Sequence, residues 1–264
     1  MLVDSHCHLD FPGLAEQRDE VIARARAADV QVMQTIATRL STFEEVLAIA
    51  LADPGIFCSV GVHPHQADEE GIDDALPLLA RVSHPKVIGI GESGLDYHYD
   101  NSSRSAQERS FRAHIDAARQ SGLPLIVHTR DADRDTIALL AGALREGRFA
   151  GVIHCYSSSP DLGFAAVEMG FYLGLGGILT FKRSDELRAT VRALPLDRLI
   201  LETDAPYLAP QPVRGKPNEP AYVAHVAATL AEVKSLPVAE VARATTDNFF
   251  RLFAKATPQG AACA

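Results

Sequence analysis

At 264 residues and a formal net charge of −9 at pH 7, the chain is long for one average domain and too acidic to coat nucleic acid non-specifically. Hydrophobic residues at 47% can fill a substantial core, charged residues at 22% are ordinary for a globular protein, and no apolar run reaches the ~18 residues of a membrane span. Four scattered cysteines (Cys7, Cys58, Cys155, Cys263) contain no CxxC pair, which argues against a zinc ribbon or disulfide framework. With no signal segment after Met1, the expected compartment is the reducing cytoplasm.

In chain order, short apolar runs alternate with helical patterns. Strand ends are expected near His8, Ala37, His63, Glu92, His128, His154, Gly176 and Asp204, roughly 22 to 36 residues apart. That spacing suits one helix and one return loop per strand, and eight such units predict an α/β fold, a single (β/α)8 TIM barrel over 1–264. An open doubly wound sheet is the structural alternative. Ser41 with Glu44 reads as a capping box before VLAIALA. A helix is predicted over Ser105–Ser121, stopped by Gly122 and Pro124. After a turn-rich stretch over Pro217–Pro220, two more helices are expected over Ala221–Lys234 and Val238–Ala254, and about 256–264 reads as a loose tail.

The residues that carry chemistry sit at the predicted strand ends. Five of the ten histidines fall there (His6, His8, His63, His128, His154), together with Glu92 and Asp204. In a parallel barrel all strand C-termini meet at one rim, so residues far apart in sequence converge. Imidazoles and carboxylates crowded on one rim make a site for divalent cations. On a strand, His6 and His8 share one side while Cys7 faces the helices; the same parity makes Cys155, beside His154, a packing residue. Glu92 closes the apolar run VIGIGE, where a buried carboxylate needs a positive partner. Its two oxygens suit it to bridge two cations, and pairing to Arg130 is the plainer alternative. His128 and His154 each close a doubly buried run; alone either reads as a core histidine, but on neighbouring strands they suggest a shared metal. Asp96 reads as a residue supporting the ligands or structuring its loop.

Arg130 shares the parity of His128, and its planar fork suits phosphate or carboxylate; a salt bridge is the equal alternative. Asp204 ends LILETD with Glu202 one step deeper. Beside a metal it can hold the ion and take a proton from water, whereas capping the following turn is its structural alternative. No phosphate loop of the GxxxxGK[ST] or GxGxxG type and no GxSxG elbow occurs.

Taken together, LVDSHCHLD, GVHPH, GESGLD, PLIVHTR, VIHCYS, LILETDAPYL and TTDNFFRLF resemble the TatD family of metal-dependent deoxyribonucleases, within the amidohydrolase-type barrels. The resemblance runs almost end to end. It implies that His6 and His8 hold one divalent ion with Asp204, that His128 and His154 hold a second, and that Glu92 bridges the two. The ions would be Mg, Mn or Zn. It further implies that Asp204, Glu92 and His63 take part in catalysis, His63 near the substrate, and that Arg130, Arg214 and Asn218 form the phosphate-binding side. The expected substrate is DNA, taken as a single-stranded end by an exonuclease, with no membrane and no obligate protein partner. A rival hydrolase on the same site would cleave another ester or amide, as an aminoacyl-tRNA deacylase does. Ser93 and Ser158 depart from the family's usual apolar residue and glycine, which bears on substrate preference.

Overall fold

The apolar runs of the sequence become eight parallel strands of one sheet in the order β1 to β8, in a computed structural model that describes residues 1–256. The strands are β1 (Leu2–Cys7), β2 (Val30–Thr35), β3 (Ile56–Val60), β4 (Val87–Asp96), β5 (Leu125–Arg130), β6 (Gly151–Ile153), β7 (Tyr172–Leu175) and β8 (Leu199–Leu201). Helices α1 (Arg18–Ala27), α2 (Phe43–Ala52), α3 (Ala67–Glu70), α4 (Leu76–Leu79), α5 (Arg104–Ser121), α6 (Asp133–Glu146), α7 (Pro160–Glu168), α8 (Asp185–Ala193), α9 (Val223–Lys234) and α10 (Val238–Leu252) fill the connections. The ring closes through a parallel bridge of Cys7 with Ala205, with His8 N–H donating to Ala205 O at 2.8 Å and Asp204 N–H to His6 O at 2.9 Å. Closure excludes the open doubly wound alternative and makes the fold a (β/α)8 barrel.

Period-two alternation divides the core in two. Outward residues such as Leu125, Val127, Leu199 and Leu201 pack under the helices in one large apolar cluster. Inward, each strand contributes one residue to a floor: Val3, Val32, Phe57, Ile88, Ile126, Val152, Tyr172 and Ile200. Phe249, Leu252 and Phe253 from α10 and the residue after it plug that floor from below. Each buried Phe is worth ~1.5–3 kcal/mol over an exposed one, so the bottom of the barrel is a packed hydrophobic seal. The polar chemistry is thereby confined to the top.

Local differences from the expected elements have local causes. β4 runs four residues past Glu92, to Asp96, with a register shift between Ile90 and Ser93. Gly91 (φ 128°) and Gly94 (φ 153°) permit this: an added Cβ would lie 2.5 Å from Ile126 O and 1.9 Å from His128 O, respectively. The capping box at Ser41 does not form. The Ser41 hydroxyl and backbone N–H instead meet the Glu70 carboxylate at 2.5 and 3.2 Å, and α2 begins at Phe43 without a side-chain cap. α5 starts one residue earlier than expected, at Arg104, where Ser103 accepts from Ala106 N–H, and it ends as its sequence predicts, at a left-handed Gly122 (φ 72°). α9 starts two residues later than expected, after a 3-10 turn over Pro220–Tyr222, and α10 stops two residues earlier, at Leu252. Of the expected tail, Ala256 is buried against the barrel floor and 257–264, with Cys263, lie outside the described residues.

Candidate metal centre

Strand parity delivers the polar side chains to the top of the barrel. His128 lies two residues above floor residue Ile126, His154 two above Val152, and Glu202 two above Ile200. On β1 the Cys7 side chain packs outward among the helices, its thiol donating to Gln34 O at 3.5 Å, while His6 and His8 face the mouth. The mouth is a cavity of about 650 Å³ lined by His8, His63, His65, Glu92, His128, His154 and Asp204, with Arg39, Tyr99, Arg130, Phe11 and Tyr207 at its margins.

Glu92 is the hub. Its Oε2 lies 3.3 Å from His6 Nε2, and its Oε1 lies 2.8 Å from His154 Nε2, 3.0 Å from His128 Nδ1 and 3.5 Å from His63 Nε2. One oxygen thus faces the β1 histidines and the other faces the pair on β5 and β6. Asp204 Oδ1 completes the β1 side, 3.5 Å from His8 Nε2 and 3.7 Å from His6 Nε2. The ligand-type atoms of His6, His8 and Glu92, and those of His63, Glu92 and His128, form compact groups within 4.8 Å.

Electrostatics follow from this crowding. Burial alone would raise the Glu92 carboxyl, but the surrounding imidazoles of His154, His63 and His6 and the His128 hydrogen bond bring it well below the usual carboxylate range. Burial opposes ionisation of Asp204 too, and His8, His154 and His6 together lower it. Burial pushes the His63 imidazole well below its ordinary value, so it is neutral. His63 Nδ1 accepts the His65 backbone N–H at 3.1 Å, which assigns its ring proton to Nε2, pointing at Glu92.

The donor set fits divalent cations. Two imidazole nitrogens, His128 Nδ1 and His154 Nε2, face one another at 3.3 Å, and His6 Nε2 and Nδ1 and His8 Nδ1 are buried with no hydrogen-bond partner. Buried polar atoms without partners are costly, and a cation at His6 Nε2, the nitrogen that faces Glu92, relieves that cost there. Supporting carboxylates are also in place. Asp96 Oδ2 meets His128 Nε2 at 3.1 Å and His65 Nε2 at 2.9 Å, while its Oδ1 accepts the backbone N–H groups of His98 and Tyr99. Asp96 therefore both orients His128 and structures its loop. Glu202 stands 3.4 Å from His154 Nδ1 and accepts the Cys155 N–H at 2.5 Å.

Of the residues expected on the phosphate side, Arg130 lines the cavity and lies over the Tyr99 ring at 4.8 Å. Arg214 and Asn218 do not line it. The Arg214 guanidinium stacks 3.7 Å from the Phe181 centroid. Asn218 is fully buried, donating to Thr203 O (2.8 Å) and Tyr207 O (2.6 Å) and accepting from Glu219 N–H (3.0 Å), so its amide pins the loop after β8 from beneath. Ser158 donates to Asp133 at 2.5 Å. Sequence reasoning missed His65, the supporting role of Glu202, and the aromatics Phe11, Tyr99 and Tyr207. Parity with Asp204 was the signal available for Glu202; the loop aromatics had none.

A parallel barrel whose rim gathers four imidazoles around one shared carboxylate defines a metal-dependent hydrolase. The chain belongs to the TatD family: the model described as TatD related DNase matches residues 3–254. It is 42% identical over 259 residues to the uncharacterized metal-dependent hydrolase YcfH of Escherichia coli K12, covering 96% of this chain and 95% of that one. It is 38% identical over 243 residues to a protein of Cronobacter turicensis named 3'-5' ssDNA/RNA exonuclease TatD, covering 90% and 92% of the two chains. Among solved structures, the TatD homologue YjjV of E. coli K12 superposes with a TM-score of 0.88 at 32% identity, over 97% of this chain and 98% of that one.

Proposed function

We propose that this protein is a divalent-metal-dependent exonuclease hydrolysing phosphodiester bonds at single-stranded DNA ends. The observation that carries the reading is Glu92, whose two oxygens face two different histidine groups, the arrangement a bridging carboxylate requires. His6, His8 and Asp204 would hold one cation and His128 and His154 the other, with Glu92 between. Bound there, two cations (Mg, Mn or Zn) would supply Lewis-acid polarisation of the phosphoryl oxygens and a water of lowered pKa.

The chain's own residues do the rest. Asp204, anionic at neutral pH and at the cavity wall, accepts the proton of the attacking water and returns it to the leaving oxygen. Neutral His63 lines the cavity near the substrate, with its Nε2–H turned toward Glu92. Asp96 and Glu202 hold His128 and His154 in register, and Arg130 offers its guanidinium to a phosphate of the strand. The named Cronobacter relative supports a nucleic-acid substrate. Among the described residues no helix is long and apolar enough to cross a membrane. Cys7, Cys58 and Cys155 are free thiols, in keeping with a reducing cytoplasm.

The test is incubation of the metal-loaded protein with end-labelled single-stranded DNA, RNA and duplex DNA, and separately with aminoacyl and carboxylic esters. Stepwise shortening of DNA supports the reading. Turnover of esters alone would transfer the site to acyl chemistry.

A further inference from the structure

Among the described residues, large hydrophobic side chains are exposed at only seven positions, and three of these are aromatic: Tyr99, Phe164 and Tyr207. Two of the three, Tyr99 at 53% and Tyr207 at 55% exposure, line the mouth cavity. Tyr99 follows β4 and Tyr207 follows β8. In a ring ordered β1 to β8 those strands are diametrically opposed, so the two residues enter the mouth from opposite sides of the ring, and both line the cavity that also holds Glu92 and its histidines.

Both rings are braced. The Arg130 guanidinium covers Tyr99 at 4.8 Å from its centroid and donates to its hydroxyl at 3.4 Å, and the Tyr99 N–H is tied to Asp96 at 3.0 Å. Tyr207 meets Phe11 nearly perpendicularly (80°), Phe11 itself stacks on His8 at 4.4 Å, and the Tyr207 carbonyl is held by Asn218. The Tyr207 N–H donates to Asp204 O at 2.9 Å. The backbone N–H of each tyrosine is thus tied to a residue beside the centre, Tyr99 to the Asp96 carboxylate and Tyr207 to the Asp204 carbonyl, while more than half of each residue's surface stays in water. Exposed yet immobilised aromatics on either side of a hydrolytic centre are what unpaired nucleobases stack upon.

Building on the nuclease reading, we propose that Tyr99 and Tyr207 are the residues that select single strands, each stacking a nucleobase on one side of the scissile phosphate. Bases in a duplex already stack and pair with one another and have no free face to offer, so strandedness is read by these two rings and not by the metal ligands. Arg130 contributes from the covered face of Tyr99, where a guanidinium reinforces stacking and reaches a neighbouring phosphate.

The chain contains no tryptophan, which makes Tyr207→Trp and Tyr99→Trp single-tryptophan reporters. In the metal-loaded protein, a short single-stranded oligonucleotide should quench either tryptophan, and an oligomer with abasic sugars flanking the cut should not. In kinetics, the ratio of kcat/KM for the base-bearing over the abasic oligomer should fall roughly 5- to 150-fold in Tyr207→Ala or Tyr99→Ala, as expected for ~1–3 kcal/mol per stacked base. Tyr→Phe at either position should restore it. Equal quenching by both oligomers, or a ratio insensitive to the alanine changes in an enzyme that does cut DNA, overturns the stacking role and leaves the nuclease reading intact. A wild-type protein that cuts neither oligomer overturns both.

Discussion

His114 on α5 ties a helix to the loop that carries His63. Its Nε2 accepts the Val62 N–H at 2.9 Å and its Nδ1–H donates to Ser110 O at 2.7 Å, in a site with no solvent exposure. A second ring proton would have to point at an N–H donor in a dry pocket, and burial accordingly lowers this imidazole from 6.5 to about 4. The unfolded chain therefore binds a proton here more readily than the folded one. Stability from His114 is fully present above pH 6.5 and drains away as pH falls toward 4. The whole window is worth about 3 kcal/mol, from roughly 1.4 kcal/mol per pH unit, and the step from pH 7.5 to pH 5 about 2 kcal/mol. Urea unfolding of wild type and His114→Gln at pH 7.5 and pH 5 isolates this contribution, because every other titrating group, the metal centre included, is common to both proteins. Gln keeps an acceptor of similar reach but does not titrate. Its stability should fall less than wild type's by about 2 kcal/mol between those pH values. Parallel pH slopes for the two proteins would refute the assignment.

Glu92→Gln should weaken both cation sites together, because one carboxylate faces both histidine groups; metal analysis showing loss at one site alone would remove its bridging role. Asp204→Asn should lower kcat by ~10²–10⁴-fold even at saturating metal, as expected for loss of a proton acceptor, and recovery of near-normal turnover at high metal would reduce it to a ligand. Asn218→Ala leaves the buried Thr203 and Tyr207 carbonyls without their donor and should cost ~1–3 kcal/mol in thermal unfolding; an unchanged melting temperature would contradict its anchoring role. Cys7→Ser should retain metal with a modest loss of stability, since the thiol faces the helices, and loss of metal would place it inward.

The convergence of these imidazoles and carboxylates on one rim was legible in the sequence because strand parity and strand endings are local properties. HxH on the first strand, an apolar run closing on Glu92, and histidines ending two doubly buried runs need only a period of two and a common rim to converge. The outward turn of Cys7 followed from the same rule. The extension of β4 past Glu92 was not legible, because it depends on Gly91 and Gly94 lying against the carbonyls of Ile126 and His128 on the next strand. The pairing of Ser41 with Glu70 defeated a well-formed local capping signal because a carboxylate from a later helix reached it first.

By itself, then, the sequence determined the eight strand–helix units and the imidazoles and carboxylates that end their strands, since these rest on short-range periodicity, whereas the Cys7–Ala205 bridge decided for a closed barrel over an open sheet. Only the tertiary structure decided which atoms meet. It alone showed that Glu92 divides its oxygens between two groups, that Asp96 meets His128 while Glu202 stands beside His154, that Asn218 lies under a loop and not in the cavity, and that Tyr99 and Tyr207 both line the mouth. The physical reason is that loop conformations and side-chain partners are set by contacts tens or hundreds of residues apart in sequence. Arg130 with Tyr99 and Thr203 with Asp4 are two such contacts, and they exist only once the ring has closed.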